Sequence, residues 1–239
     1  MMIFDWHIHS KYSSDSLMSP EKIIRVAQQR GFNCIAITDH NSIKGAVEAK
    51  QYENKKMKIL IGEEIITNLG ELIGVNIKKE IQEKEFFKAL DEIKEQGGIS
   101  ILPHPYKGHK DVEKIAKHVD IIEAYNSRLT KKLNNKARLL AGKFNKPFLA
   151  GSDAHFYCDI GNSRNLLNNC FSIVFSSAFY WTISISQIIK AIKKKRVKSV
   201  IPNVIQLLSN GYGKIYHSEK IQTSLKDYQL LLQVLKVNN

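Results

Sequence analysis

The segment Ile3–His9, IFDWHIH, is a short apolar run that leads directly into an acid and two histidines. The same order recurs in CIAITDH at Cys34–His40 and in PFLAGSDAH at Pro147–His155. Apolar runs also lead into two acids in KILIGEE at Lys58–Glu64 and into a histidine in ISILPH at Ile99–His104. Helical patterns separate these runs. Strands that alternate with helices of this kind are typical of a parallel sheet, either open or closed into a barrel.

The periodicity of apolar residues divides the chain into strands and helices. The predicted strands are Ile3–His9, Cys34–Thr38, Lys58–Thr67, Glu71–Ile77, Ile99–Leu102, Asp120–Ala124, Phe148–Gly151 and Cys170–Phe175. The predicted helices are Glu21–Arg30, Ile43–Asn54, Glu83–Gln96, Val112–His118, Lys131–Phe144 and Ser186–Lys195. Ser19 is expected at the N-cap of the first helix, followed by Pro20, and Gly31 is its stop signal. The strand at Glu71–Ile77 is a candidate hairpin partner of the one before it.

The chain has 239 residues, of which 43% are hydrophobic and 25% are charged, as in ordinary soluble globular proteins. This composition excludes a disordered chain and a fibrous one, while the length suits one large domain or two small ones. The N-terminus MMIFDWHIHS lacks the basic and apolar regions of a signal peptide, and polar residues interrupt the apolar run Phe171–Ile189. We therefore expect a soluble cytoplasmic protein with no membrane span.

The three cysteines do not indicate a disulfide framework. Cys34, Cys158 and Cys170 are odd in number and lack CxxC spacing. No cysteine has an obvious base beside it, which argues against a cysteine nucleophile. Cys158 lies near His155 in sequence and is expected to be a small buried residue.

The positive charge is concentrated near the C-terminus. The formal net charge is +13, and ten basic residues but only two acidic ones follow Arg164. A basic segment of this kind suggests contact with something anionic, although solvated lysine-rich faces are common. Residues 186–198, SQIIKAIKKKRVK, are predicted to form a helix with a basic end. That helix either guides polyanions toward a site or packs on the body of the protein with its lysines in solvent.

The regular feature of this sequence is the position of its potential metal ligands. Five of the eight histidines lie at the carboxyl ends of different predicted strands. Taken singly, most of these residues have ordinary structural roles, since Asp153 and His155 could form a salt bridge and His40 could cap a helix. Parallel strands, however, bring their carboxyl ends to one face, where α/β barrels build active sites. Seven or eight such placements on one rim indicate a metal centre.

Histidine and carboxylate ligands without cysteine suit Zn, Mn or Fe, and they are too numerous for one ion. Two or three divalent ions bridged by a carboxylate would form a hydrolytic centre for phosphate esters. Other catalytic centres are not indicated. The sequence has no GxxxxGK[ST] loop, no dinucleotide-binding fingerprint after the first strand and no GxSxG elbow.

These motifs resemble those of the PHP (polymerase and histidinol phosphatase) superfamily, in particular its small metal-dependent phosphoesterases. The matching segments are DWHIHS at 5–10, SSDS with Asp15, TDHN at 38–41, GEEI at 62–65, GELIG at 70–74, PHP at 103–105, EAYN at 123–126 and GSDAH at 151–155. The resemblance covers about residues 2–164 in unbroken order. It implies a distorted (β/α)7 TIM-like barrel with a bi- or trinuclear metal centre at its carboxyl-terminal rim. Residues 1–200 are expected to form this barrel, and residues 201–239 an extension packed on it.

The resemblance also implies which residues bind the ions. These are His7, His9, Glu64 and Asp153 for the first ion, His104 with Glu64 for the second, and Asp15, His40 and His155 for the third. Glu64 rather than Glu63 takes the bridging role, because the family places its acid two residues after the glycine. Many trinuclear members have another histidine shortly after this acid, and this chain has none at 71–77. The second ion is therefore completed by water or Glu71, weakly held or absent. Glu123 faces the same rim as a further candidate.

The implied reaction is attack on phosphorus by a water that the ions activate. Arg128 and Arg164 are the candidate anchors for the phosphate, because guanidinium groups bind phosphate in a bidentate manner; surface salt bridges are the alternative. His155, where it is not occupied by metal, is the candidate proton donor to the leaving oxygen.

The expected substrate is a phosphorylated small molecule, such as a nucleotide, or a short oligonucleotide. Two alternatives stay open: a histidinol-phosphate phosphatase, and a nucleic-acid-binding accessory module like the PHP modules attached to polymerases. The intact set of ligands favours an enzyme over a degenerate module. The sequence does not indicate an oligomeric state.

Overall fold

The computed structural model describes residues 2–168 and 171–176. The strands are β1 Met2–Asp5, β2 Cys34–Ile37, β3 Lys58–Thr67, β4 Gly70–Val75, β5 Ile99–Leu102, β6 Ile121–Asn126, β7 Phe148–Gly151, β8 Ser163–Asn168 and β9 Phe171–Ser176. The helices in the described part of the chain are α1 Pro20–Gln29, α2 Lys44–Lys50, α3 Phe86–Glu95, α4 Val112–Ala116 and α5 Lys131–Lys143. Each of these helices follows a strand, and the hairpin partner β4 stands between β3 and α3.

The described strands form one sheet in the order β7-β6-β5-β4-β3-β2-β1-β8-β9. Strands β1, β2 and β3 run parallel, and so do β5, β6 and β7. Strand β4 is antiparallel to both of its neighbours, which confirms the predicted hairpin with β3. The carboxyl ends of all the parallel strands therefore lie at the same end of the sheet.

The sheet curls into a nearly closed barrel because the segments at its two ends meet. Beyond β1, the amide of His9 donates to the carbonyl of Ala154 at 2.9 Å, and the amide of Ala154 donates to the carbonyl of His7 at 3.3 Å. Farther along, the side-chain amide of Asn165 on β8 bonds both the N–H and the C=O of Ala150 on β7, at 2.9 and 2.8 Å. This side chain joins β8 to β7. The expected α/β barrel is thereby confirmed.

Apolar side chains divide between the barrel interior and its outer surface because they alternate along each strand. Cys34 and Ala36 of β2 belong to the interior cluster together with Leu149 of β7. Ile35 and Ile37 belong instead to an outer cluster that packs beneath α1 and α2. A second outer cluster joins α3, α4 and α5 to the other half of the barrel. The barrel is therefore a filled core, and its rim is left for the polar residues.

The sequence predicts a strand that continues to His9, but β1 ends at Asp5, and the chain bends at Trp6. The backbone groups of His7 and His9 bond across the barrel to Ala154, and this cross-barrel pairing is a long-range contact that periodicity does not report. The two histidines therefore belong to the closing segment of the barrel rather than to the strand itself.

Two further elements differ from the sequence prediction. Helix α2 ends at Lys50 rather than Asn54, because Asn54 and Met57 exchange two backbone hydrogen bonds of 3.1 Å in a tight turn before β3. Strand β8 is not predicted, because SRNLLN is polar and has no β-branched residue. Its strand conformation comes from antiparallel pairing with β1, where Ile3 lies opposite Leu166.

The turn after His155 corrects the expectation for Cys158. Cys158 lies in a turn and is exposed rather than buried. Ser19 occupies the N-cap position of α1, but its side chain makes no capping bond there. Instead its amide donates to the hydroxyl of Tyr157 at 2.8 Å, which ties this turn to the start of α1.

The predicted strand at Cys170–Phe175 is found at Phe171–Ser176, and the other predicted elements in the described residues are present with boundaries shifted by a few residues. The predicted helix Ser186–Lys195 and the domain boundary at residue 200 lie outside the described residues, as does the basic run within that helix. None of the described helices combines the length and hydrophobicity needed to cross a bilayer.

Candidate metal centre

The eight side chains that the resemblance assigns to metal meet at the carboxyl-terminal rim of the barrel. They come from strand β3, from the segments that follow β1, β2, β5 and β7, and from the loop before α1. Among the described residues, the ligand atoms of these eight side chains and of Glu71 form four groups, and all atoms of a group lie within 4.8 Å of one another. The groups are His9–Asp15–His40–His155, His7–His9–Asp153, His7–Glu64–His104 and His40–Glu64–Glu71.

His7 is oriented by acids on both sides of its ring. Its Nδ1 lies 2.9 Å from Oε1 of Glu123, and because a carboxylate only accepts, this nitrogen carries the proton. Its Nε2 then faces the cluster, 3.3 Å from Oε2 of Glu64. Burial lowers the pKa of His7, but Glu64, Glu123 and Asp153 outweigh burial and raise it well above 6.5. These acids therefore favour a positive charge at the face that His7 turns to the cluster.

His9 is oriented by a serine in the same way. Its Nδ1 lies 3.1 Å from Oγ of Ser13, and the Ser13 hydroxyl donates to Oδ1 of Asp39 at 3.0 Å. This relay leaves the Nε2 atom of His9 to face the cluster. Burial lowers the pKa of His9, but Asp153 and Glu64 outweigh it and raise the pKa to about 9.

The two Nε2 atoms of His7 and His9 lie 3.1 Å apart. In the neutral forms that would bind a metal, the Nδ1 proton of each ring is donated elsewhere, so the two Nε2 lone pairs face each other here. Oδ1 of Asp153 lies 3.6 and 3.5 Å from these two nitrogens, and Oε2 of Glu64 lies 3.3 and 3.2 Å from them. Two imidazoles and two carboxylates that converge in this way fit a divalent cation such as Zn²⁺, Mn²⁺ or Fe²⁺.

Glu64 lies at the centre of the cluster. Besides His7 and His9, its Oε2 lies 3.3 Å from Nδ1 of His40, and its Oε1 lies 3.2 Å from Nε2 of His104. Burial raises the pKa of Glu64, but His7, with hydrogen bonds from His104 and others, lowers it well below 4.5. Its two oxygens thus face separate sets of imidazoles, which suits a carboxylate that bridges two ions.

Glu63, the neighbouring acid, points to the other face of β3. Its Oε2 accepts a hydrogen bond from the amide of Ile81 at 2.9 Å. Burial raises the pKa of Glu63 to about 7, although the Ile81 bond opposes this. Strand alternation therefore separates the two acids, as their sequence positions predict.

The carboxylate of Asp153 lies between the histidines of the cluster and two cationic side chains. Nδ2 of Asn126 donates to its Oδ2 at 3.1 Å. Nζ of Lys107 lies 4.0 Å from the same oxygen, and Nη1 of Arg128 lies 4.0 Å from Oδ1. Burial raises the pKa of Asp153, but His7 and the other imidazoles lower it far below 3.8.

A third group of ligands borders the exposed side of the rim. Oδ2 of Asp15 lies 2.8 Å from Nε2 of His155 and 3.5 Å from Nε2 of His40. The rings of His9 and His155 have centroids 4.2 Å apart. Nδ1 of His155 lies 2.9 Å from the carbonyl oxygen of Asp153, so a proton on Nδ1 leaves Nε2 as the ligand atom. This group matches the third site that the resemblance implies.

Only one of the two predicted phosphate anchors lies at the cluster. Arg128 lies at the cluster, where its guanidinium contacts the His155 ring and the Asp153 carboxylate. Arg164 does not: its guanidinium carbon lies 5.2 Å from the centre of the Phe32 ring. Phe32 precedes β2 and so lies at the opposite end of that strand from the rim. The structure therefore does not bring Arg164 to the site, because its side chain packs on Phe32 of an outer cluster, on the face of β8 opposite to that of Asn165.

Several residues at the site are missed by the sequence prediction. Lys107 reaches Asp153 from the loop that follows His104. The only sequence signal for this contact is the position of Lys107 just after the motif PHP at 103–105. Ser13 and Asp39, which orient His9, lie within the quoted SSDS and TDHN motifs but have no ligand role there. Their roles depend on contacts between segments far apart in the chain.

Glu123 lies behind His7 and is not part of the four ligand groups. Besides its contact with His7, it accepts hydrogen bonds from the amide of His104 at 2.8 Å and from Nδ2 of Asn126 at 2.9 Å. It therefore contacts the ligand segments that follow β1 and β5.

Similarity to known proteins agrees with this geometry. The family model "PHP domain" matches residues 5–236. One uncharacterized protein of Methanocaldococcus jannaschii is 33% identical over 175 residues, which are 68% of this chain and 69% of that protein. Another from the same organism is 41% identical over 114 residues, covering 43% of this chain and 67% of that protein. A 5′-3′ exoribonuclease of Haemophilus influenzae is 27% identical over 125 residues, 45% of this chain and 44% of that enzyme.

Solved structures show the same fold at low sequence identity. A two-domain protein of Bacteroides vulgatus, described as containing a PHP-like metal-dependent phosphoesterase, is 19% identical with a TM-score of 0.58. The match covers 72% of this chain and 58% of that protein. A Bifidobacterium adolescentis protein named for metal-dependent phosphoesterase activity is 13% identical with a TM-score of 0.56, over 64% of this chain and 88% of that one. With the family match over nearly the whole length and the same barrel fold, this chain belongs to the PHP domain family.

Proposed function

We propose that the chain is a metal-dependent phosphoesterase that hydrolyses phosphate esters through two or three divalent ions of Mn, Fe or Zn. The observation that carries this proposal is the position of Glu64, whose two oxygens lie 3.2 to 3.3 Å from nitrogens of four histidines. Those histidines come from the segments after β1, β2 and β5. A carboxylate shared in this way is what a hydrolytic centre of two closely spaced ions requires.

The described residues would hold the ions in three overlapping sets. These are His7, His9, Glu64 and Asp153 for the first ion, Glu64 and His104 for the second, and Asp15, His40 and His155 for the third. Bound ions would supply a nucleophilic water at neutral pH and neutralise charge on the phosphate oxygens. Glu123 and Ser13 hold the rings of His7 and His9 in the orientation that ligation needs, so little reorganisation accompanies binding.

Arg128 and Lys107 would bind the phosphate group beside the first ion. They approach the two oxygens of Asp153 from different loops, each at 4.0 Å, and their side chains are 41% and 53% exposed. Both contacts with Asp153 are long, and the exposed part of each side chain leaves its charged group accessible to a phosphate, although Arg128 also contacts the His155 ring. A guanidinium and an ammonium that converge on one point are suited to a phosphate dianion.

His155 is proposed here as a metal ligand rather than as a proton donor. Burial and the neighbouring His9 lower its pKa below 6.5, so its neutral form is favoured. Its Nδ1 is turned to the Asp153 carbonyl and its Nε2 to Asp15. A neutral ring in this orientation can ligate through Nε2 but has no surplus proton to give.

We further propose nucleotides or short oligonucleotides as substrates. The similarity to a 5′-3′ exoribonuclease supports this class, as does the pair of cations at the open side of the rim. Histidinol phosphate is the alternative substrate, and nucleic-acid binding without turnover is the alternative activity. One substrate panel separates all three.

The experiment measures phosphate release from a 3′,5′-bisphosphonucleoside and from histidinol phosphate, mononucleotide release from a short oligonucleotide, and metal content. It compares the unchanged chain, Glu64→Gln and Glu63→Gln. We expect the unchanged chain to hold more than one equivalent of metal, to hydrolyse one of the nucleotides and to lose activity in chelator. Glu64→Gln should lose activity and metal. Glu63→Gln is the matched control and should retain both, because Glu63 faces away from the cluster.

Full activity in excess chelator would contradict the proposal, and so would equal damage from the two substitutions. Turnover of histidinol phosphate alone would replace the substrate class while keeping the metal mechanism. Oligonucleotide binding without hydrolysis of any substrate would favour the accessory module.

A further inference from the structure

The acid at the edge of the cluster, Glu71, is not among the residues that the function above uses. It lies on β4 opposite Ile66 of β3. Ile73 and Val75, which share its face of β4, belong to the barrel interior. The backbone thus turns the Glu71 side chain toward the inside of the rim, where its carboxylate is 27% exposed.

The carboxylate of Glu71 reaches the ligands of the second ion. Its Oε2 lies 3.6 Å from Nε2 of His104, the same nitrogen that lies 3.2 Å from Oε1 of Glu64. Glu71 also forms a ligand group with Glu64 and His40. It therefore lies within reach of both His104 and His40.

His109 is another histidine close to His104, but its ring nitrogens already contact other groups. The ring of His109 lies 5.8 Å from that of His104. Its Nδ1, however, lies 3.0 Å from the carbonyl oxygen of Lys107, and its Nε2 lies 2.8 Å from the backbone carbonyl oxygen of Glu71. Because both nitrogens face backbone oxygens, His109 does not turn a ligand atom toward His104.

His109 instead fixes the position of Glu71. Besides its contact with the Glu71 carbonyl, its ring lies over Gly70, where an added Cβ would approach Cδ2 to 2.5 Å. The amide of Lys110 donates to the carbonyl of Leu69 at 2.9 Å. The loop at 107–110 is thereby bonded to the β3–β4 turn on both sides of Gly70, so the start of β4 is held firmly under the rim.

We propose that Glu71 is the third protein ligand of the ion bound by Glu64 and His104, so that two carboxylates and one imidazole hold this ion. This inference rests on the proposed metal centre and assigns it a ligand of a different chemical type. Oxygen-rich sites suit Mn²⁺, whereas imidazole-rich sites suit Zn²⁺. The second site consequently prefers Mn²⁺ over Zn²⁺ more strongly than the third site, where Asp15 and the two imidazoles of His40 and His155 converge.

The test counts bound metal and measures its affinity, and it does not depend on turnover. Protein stripped with chelator is titrated with Mn²⁺ and with Zn²⁺ by calorimetry, and retained metal is counted by mass spectrometry after desalting. The variants are Glu71→Gln, Glu71→His and Glu64→Gln. Glu95→Gln, on the exposed face of α3, is the charge-matched control.

We expect Glu71→Gln to lose one equivalent of Mn²⁺ or to bind it at least about tenfold more weakly, while Glu95→Gln binds as the unchanged chain does. Glu71→His should restore the number of ions and shift the preference at that site toward Zn²⁺. A Glu71→Gln protein with unchanged stoichiometry and affinity would overturn the inference, as would a Glu71→His protein with an unchanged Mn²⁺ to Zn²⁺ ratio.

Glu64→Gln separates this inference from the proposed function. If Glu64→Gln loses metal and Glu71→Gln does not, the metal centre stands and Glu71 is not its ligand. If neither substitution changes metal binding, the metal centre itself is wrong, and the inference fails with it.

Discussion

Oε1 of Glu123 lies 2.9 Å from Nδ1 of His7, although 116 residues separate them in the chain. This contact decides which ring nitrogen His7 turns to the cluster. Glu123 can come so close because Gly151, on the neighbouring strand β7, has no side chain. A Cβ at Gly151 would lie 1.8 Å from Oε1 of Glu123 and 3.0 Å from Cβ of His7.

Gly151→Ala should therefore weaken metal binding without replacing any ligand. The added methyl group displaces the Glu123 carboxylate, and His7 loses the partner that holds its Nδ1 proton. We expect metal affinity to fall by about tenfold or more, as when outer partners of metal ligands are removed. Gly142→Ala on α5 is the control, because a Cβ there meets nothing within 4 Å. Equal affinity in the two variants would show that the Glu123 contact does not matter.

Lys107→Gln and Arg128→Gln should raise KM for a phosphomonoester and weaken inhibition by inorganic phosphate. Each removes a charged partner of the phosphate, and we expect an effect of about tenfold per substitution. Arg164→Gln is the matched control and should leave both quantities unchanged, because Arg164 packs against Phe32 away from the rim. A rise in KM for Arg164→Gln as large as that for Arg128→Gln would return Arg164 to the site.

Cys34 should resist alkylation in the folded protein. Burial raises its pKa from 9.0 to about 12, and the thiolate is the reactive form. We expect iodoacetamide to modify Cys158, which is exposed, and to leave Cys34 unmodified at pH 7 to 9. In urea, Cys34 should react, and faster at pH 9 than at pH 7. Peptide mass spectrometry measures each cysteine separately.

The same shift predicts how stability depends on pH. Above pH 9 the unfolded chain releases the Cys34 proton while the folded chain keeps it, so the folded state binds more protons. The contribution of Cys34 to stability is therefore fully present below pH 9 and is lost as the pH rises toward 12. Rapid alkylation of Cys34 in the folded protein at pH 8 would contradict its burial.

Much of the fold could be predicted from local patterns. Strands β3, β5 and β7 have the predicted boundaries, because apolar runs bounded by glycine, proline and charged residues are local signals. Strand β8 could not be predicted, because SRNLLN becomes a strand only by pairing with β1. The end of β1 was also beyond prediction, since the bend at Trp6 accompanies closure of the barrel against Ala154.

The sequence by itself determined which residues meet at the rim. His40, Glu64 and His104 follow or end apolar runs, and parallel strands must carry such residues to one end of the barrel. The side-chain period of two also separated Glu64 from Glu63. These are consequences of chain geometry over a few residues, and so they can be read from the order of residues alone.

Only the tertiary structure decided how those residues are used. The cations near Asp153 are Arg128 and Lys107, and Arg164 lies elsewhere. Glu123 decides which ring nitrogen His7 turns to the cluster. His109 is bonded to backbone oxygens rather than to the cluster. Each of these outcomes depends on contacts between segments that are distant in the chain. Local periodicity sets the face on which a side chain emerges, but the distance between two side chains on different strands is set by register and barrel closure.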